Sequence, residues 1–192
     1  MGHAQMNGNM HRSLVSGVIA LGLLLVPSLS AQAQSTPCPM VTDTVVSATL
    51  GMPVTGKYEA NMVPGFDMCD FVDPDGTGFT VIRESNAFGP GEGGAAALAK
   101  RYIPQLPDVV RAQIDALSQI GIIVAPGYEI SAVSSVGDAA IWVKTELLPG
   151  IFNDSLIVQR GGDALSFNMD DMPDAQAKLT SLAQAALANL SQ

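Results

Sequence analysis

Cys38 and Cys69 are the two cysteines of this 192-residue chain, and both follow an N-terminal segment with the layout of a secretion signal. An even pair in an oxidising compartment is most simply a disulfide. Such a bridge would staple the start of the first helix to a strand, and its loop length corresponds to ~3.7 kcal/mol of chain-entropy stabilisation before native strain is subtracted. A redox pair is the alternative, but redox cysteines usually sit in C-x-x-C with a depressed pKa, and these two lie far apart.

The signal spans residues 1–33: a lightly basic start ending at His11-Arg12, an apolar stretch over residues 14–29, and the small-residue motif Ala31-Gln32-Ala33. These are the three parts of a cleavable leader, with Gln34 as first mature residue and Met10 as an alternative start. An uncleaved anchor is the competing reading, yet Ser16, Gly17, Gly22 and Pro27 interrupt a stretch that would need about 20 mostly apolar residues to span a bilayer. Lipidation of Cys38 is disfavoured because Thr36-Pro37 put a bulky proline where a small residue is expected. The expected location is periplasmic or secreted, with no membrane attachment after cleavage.

Residues 34–192 have the length of one domain, and nothing in them marks a linker. Loss of Arg12 with the leader leaves eight Lys and Arg against eighteen carboxylates, a net charge of about −10. That surface repels phosphate backbones and anionic lipid, which disfavours nucleic acid and membrane surfaces as partners. A monomer is expected, with a protein or small-molecule partner left open.

Local signals predict an α+β fold. Thr42 or Asp43 can cap a helix that ends at Gly51 and Pro53. Strands are expected over residues 54–60, 68–72 and 79–83, the last two joined by the turn Asp73-Pro74-Asp75-Gly76. The Gly-rich stretch 89–94 leads into strong helix formers at 95–102. A second helix, opened by Pro107, is expected to run to about Gln119. The apolar run 120–124 is either its buried end or a short strand, which periodicity cannot decide. Four strands follow, at 128–133, 140–147, 155–159 and 164–168, with Arg160-Gly161-Gly162-Asp163 turning the last pair. Pro173 opens a final helix with Leu179, Leu182, Ala183, Ala186, Leu187 and Leu190 on one face, and Asp170, Asp171 and Asp174 stand where carboxylates cap amides. The expectation is an antiparallel sheet of six to seven strands packed with helices, in the order helix-βββ-helices-ββββ-helix.

Cys38-Pro39-Met40-Val41-Thr42, Val45 and Val46, Leu50-Gly51, Cys69-Asp70-Phe71 and Val136-Gly137-Asp138-Ala139-Ala140-Ile141-Trp142 together form a pattern spanning nearly the whole of residues 34–192. It resembles uncharacterised exported bacterial domains and actinobacterial lipoproteins of unknown function, some of which adopt a PsbP-like α/β/α arrangement. The resemblance implies a fold and no catalytic residues. The missing lipobox departs from the lipoprotein members and argues for a soluble form.

His3 and His11 are the two histidines, and both lie in the leader. A Ser/His/Asp triad, a His-bearing zinc site and a Cys/His pair are therefore excluded in residues 34–192. No G-x-S-x-G or S-x-x-K motif provides another route to a nucleophilic serine. Asp70, Asp73 and Asp75 cluster at the first hairpin as weak metal candidates, but an EF-type loop needs an acid where Phe71 stands and a glutamate where Ile82 stands. A glycosidase-like pair of acids would need a cleft usually rich in aromatics, poorly supplied here. The Gly-rich stretch lacks the Lys and Ser/Thr of a phosphate loop and carries Glu92. Trp142 and Tyr128 are the weak binding candidates, with core packing against the last helix the favoured account of Trp142. No cofactor is implied. The favoured function is a non-enzymatic accessory domain that binds a ligand or protein by its sheet face or a helix–sheet groove. The alternative is a carboxylate-dependent hydrolase or calcium-binding enzyme.

Overall fold

Thr42 caps the first helix, its hydroxyl accepting from Val45 N, and Gly51 ends it in the left-handed region at φ 77°. Between these stops lies α1 (Asp43–Leu50), which buries Val46 and Leu50. The computed structural model describes residues 36–190 except 104 and 171. The leader expectations, and the role expected for Asp171, fall outside those residues. The segment Gln34–Gln192 folds as one compact unit.

After α1 come β1 (Thr55–Val63), β2 (Phe66–Val72), β3 (Gly78–Glu84), α2 (Ala95–Tyr102), α3 (Asp108–Arg111), a 3-10 turn at Ile114–Ala116, and α4 (Leu117–Ile120). They are followed by β4 (Ile122–Ala125), β5 (Tyr128–Ala132), β6 (Ala139–Leu148), β7 (Ile151–Arg160), β8 (Asp163–Asp170) and α5 (Ala175–Leu190). The expectation of six to seven strands is corrected to eight in one antiparallel sheet, in the order β1-β2-β3-β8-β7-β6-β5-β4. The added strand is β4. Gly121, at φ 79°, stops α4, and the apolar run beyond it turns back to pair with β5. The element order is therefore helix-βββ-helices-βββββ-helix.

Two helices also differ from expectation. The single helix expected from Pro107 to Gln119 is three short pieces. Val110, Ile114 and Leu117 all stay fully buried, so the tightened middle turn alters hydrogen bonding but not the face presented to the sheet. Pro173 does not open α5 directly, because Asp174 at φ 60° lies between them. Asp170 ends β8 opposite Asn153 in the ladder rather than standing in the helix's first turn.

Helices cover both faces, giving three layers, α/β/α. Alternation along β6 shows how: Ala140 and Trp142 join the core under α1 and α5, while Ile141 and Val143 join the core under α2, α3 and α4. The α5 side carries the larger cluster, with Phe71, Phe79 and Phe167 fully buried in a row at centroid spacings of 5.7 and 6.4 Å. Each such side chain contributes about 1.5–3 kcal/mol by burial. The bridge Cys38–Cys69 fastens the segment before α1 to β2 inside this cluster.

The helical layers are offset. One row of cross-strand partners on the α2 side reads Lys57, Asp70, Thr80, Asn168, Ser155, then Val143, Ile130, Ile123. It is polar over β1, β2, β3, β8 and β7 and turns apolar where the short helices lie. The matching row on the α5 side is buried at Cys69, Val81, Phe167, Leu156 and Trp142, and ends at exposed Ile122. Each helical layer covers the half of the sheet that the other leaves open.

The Gly-Asp segment before β6 is a fastener. Asp138 N donates to Gln159 O (2.8 Å), and Asp138 Oδ2 accepts from Gly161 N (2.6 Å), tying the start of β6 to the β7–β8 turn.

Candidate binding surface

The open half of the α5 side, over β4, β5 and β6, is where the sheet meets solvent with apolar side chains. Ala132 N donates to Gly121 O, so by the two-residue period of an antiparallel ladder Ile123 and Ala125 turn their main-chain groups towards β5. Ile122 and Val124 then direct theirs off the sheet. Their side chains are 46% and 72% exposed. The opposite edge is guarded differently: β1 carries Lys57 and Glu59 and loses register before Val63, with Asn61 at φ 49°. Charged residues and irregular register are two devices against strand addition that β4 lacks, its four-residue length being the one restraint it carries.

Beside this edge lies a cleft of about 280 Å³, lined by Val124, Tyr128, Glu129, Lys144, Glu146 and Phe152 among others. Two turns are tied together at its lower end. Glu146 N donates to Gly127 O (2.9 Å), and Glu146 Oε1 accepts from Gly150 N (3.0 Å). Lys144 Nζ stands 4.6 Å from the Phe152 ring centroid, a cation–π contact. Lys144 lies directly between Glu129 on β5 and Asp154 on β7 in the ladder. Leu147, Leu148 and Ile151 at the β6–β7 tip add further exposed apolar surface.

Tyr128 thus lies at the cleft. Trp142 does not: it is 8% exposed and packs in the core on the α5 side, where its Nε1 has no hydrogen-bond partner among the described residues. The carboxylates of the first hairpin have local employment. Asp73 Oδ1 accepts from Asp75 N (2.9 Å) and Thr77 N (2.8 Å), capping its own turn, and Asp70 Oδ1 accepts from Thr80 Oγ1 (3.0 Å). Asp75 is exposed in the turn. Among the described residues no group of three or more His, Cys, Asp or Glu side chains is placed to hold a metal ion. Phe152, Glu129, Lys144 and Glu146 were not singled out in the sequence. No local pattern in residues 144–152 signals them, because Leu147-Leu148 and Ile151-Phe152 stand as adjacent apolar pairs on either side of Pro149-Gly150.

The Gly-rich stretch is also held from within. Gln159, nearly buried, accepts from Gly94 N (2.9 Å) and donates to Glu92 O and Gly161 O (both 3.2 Å), while Glu92 Oε2 accepts from Gly89 N (3.0 Å). Nearby, Glu84 at the end of β3 receives Arg101 and Tyr102 of α2, Tyr102 Oη donating at 2.5 Å. Burial works against ionisation of Glu84, but the bonds from Arg101 and Tyr102 outweigh it and hold the carboxyl below its usual range. Burial, then the bond to Glu84, pushes the Tyr102 phenol well above its ordinary value.

The class defined by this arrangement is a disulfide-stapled α/β/α domain with one apolar, solvent-facing sheet edge. No family model matches the chain, and no curated protein matches it. Among solved structures the chain is similar to the solution structure of cyanobacterial PsbP (CyanoP) from Synechocystis sp. PCC 6803, at 17% identity and a TM-score of 0.38 over 71% of this chain and 79% of that one. PsbP is the fold named by the sequence resemblance, but a TM-score that low transfers neither topology nor role. The architecture rests on the strands and helices themselves.

Proposed function

We propose that this chain is an exported, non-enzymatic accessory domain that binds another protein through the β4 edge and the adjoining cleft. The observation that carries this reading is the pair Ile122 and Val124, whose main chain and apolar side chains both face solvent on an edge strand. Such an edge is a template for an added strand, with main-chain bonds giving affinity and the neighbouring pockets giving selectivity. The disulfide supports residence in an oxidising compartment, periplasmic or secreted. The absence of histidine from residues 34–192 supports a role without acid–base chemistry at neutral pH.

A photo-crosslinking residue placed at Val124, with a control at Ser181 on the exposed side of α5, tests this in intact cells. A discrete protein adduct from Val124 and none from Ser181 is expected. Identical adducts from both positions, or none from Val124, would overturn the reading.

A further inference from the structure

We infer that the segment docking on β4 is an extended polypeptide alternating apolar and basic residues, laid down as a ninth strand. This rests on the docking role of β4 and specifies the chemistry of its occupant.

The two sides of the edge differ. On the helix side, Val109 of α3 and Ile120 of α4 are exposed, on helices that pack against β4. Side chains of an added strand pointing that way meet apolar surface. On the α5 side, the row inward from Val124 reads Glu129, Lys144, Asp154, with Glu146 beside them in the cleft. Among these residues carboxylates outnumber cations three to one. Alternate side chains of an added strand point to that side, about 4.8 Å beyond β4. A lysine or arginine in such a position can lay its aliphatic stem over Val124 and carry its charge to Glu129. An acidic residue there would face like charge. The excess of carboxylates over the whole chain extends the same preference to longer range.

The test uses the disulfide-intact protein and two synthetic peptides roughly ten residues long, one alternating valine and lysine, the other valine and glutamate. Binding is followed by amide chemical shifts and by titration at two salt concentrations. The valine–lysine peptide is expected to shift the amides of Ile122 and Val124, and Glu129→Gln should weaken it about tenfold, equivalent to ~1.4 kcal/mol. Val124→Lys, at an exposed position, should abolish binding without lowering the melting temperature. Equal or tighter binding of the valine–glutamate peptide at the same amides would overturn the charge inference and leave β4 as a docking edge. Failure of both peptides, or shifts confined to other strands, together with no effect of Val124→Lys, would overturn the docking edge as well. A concentration-dependent dimer lost in Val124→Lys would make a second copy the occupant and overturn the proposal.

Discussion

Gly137 stands hard against the main chain of Gln159: a Cβ on Gly137 would lie 2.3 Å from the Gln159 carbonyl oxygen, and its φ of 61° is one that side chains rarely adopt. The same carbonyl accepts from Asp138 N, so the contact cannot open without losing that bond. Gly137→Ala is therefore expected to destabilise by at least about 1–3 kcal/mol of backbone strain. In a domain of this size that lowers the melting temperature by at least roughly 3 °C. An unchanged melting curve would show that the β7–β8 turn yields freely.

Replacing both Cys38 and Cys69 by serine should cost about 2–4 kcal/mol, close to the ~3.7 kcal/mol from loop length. Urea denaturation of the double variant beside the oxidised parent measures this. A loss below about 1 kcal/mol would mean the reduced chain already holds α1 near β2 in its unfolded ensemble.

The Glu84–Arg101–Tyr102 cluster makes stability depend on pH at both ends. Glu84 has its pKa lowered by folding, so its contribution is present above the unfolded carboxylate range and is lost as pH falls through the folded value. Tyr102 has its pKa raised, so its contribution is full below about pH 10, the unfolded value, and is lost as pH rises further. Glu84→Gln should flatten the acid limb of a stability–pH curve, and Tyr102→Phe the alkaline limb. Curves parallel to that of the parent would count against the cluster.

Trp142 buries an indole N–H that has no hydrogen-bond partner among the described residues. Leaving such a donor unpaired costs about 1–3 kcal/mol. Trp142→Phe, which removes it, should therefore lose less than about 1.5 kcal/mol, against about 3–5 kcal/mol for Trp142→Ala. Chemical denaturation followed by circular dichroism distinguishes them. Equal losses would place the value of the residue in its N–H after all.

The features legible in the sequence were those written in neighbouring residues. Thr42 and Gly51 bracket α1, Asp73-Pro74-Asp75-Gly76 turns β2 into β3, and Arg160 pairs with Asp163 across the last hairpin. The opposite facing of Trp142 relative to Ile141 and Val143 also followed from strand alternation. The strand β4 was ambiguous because a short apolar run satisfies a helix end and a strand equally, and only pairing with β5 decides. The start of β7 was hidden by Asn153-Asp154, polar residues that look like loop, although Asp154 is 1% exposed across from Lys144. The cleft could not be assembled from local pattern, because Tyr128, Lys144 and Phe152 come from three strands.

In the finished sheet β8 lies between β3 and β7 and joins the two halves. A chain made from its N-terminus completes β1, β2 and β3, with both cysteines, while the inner edge of β3 still waits for a neighbour. The last strand is the keystone. Loss of β8 and α5 would leave two separate strips of sheet, each with an apolar flank, rather than a slightly smaller domain. Without β8, the edges of β3 and β7 that now pair with it would be left open to strand addition.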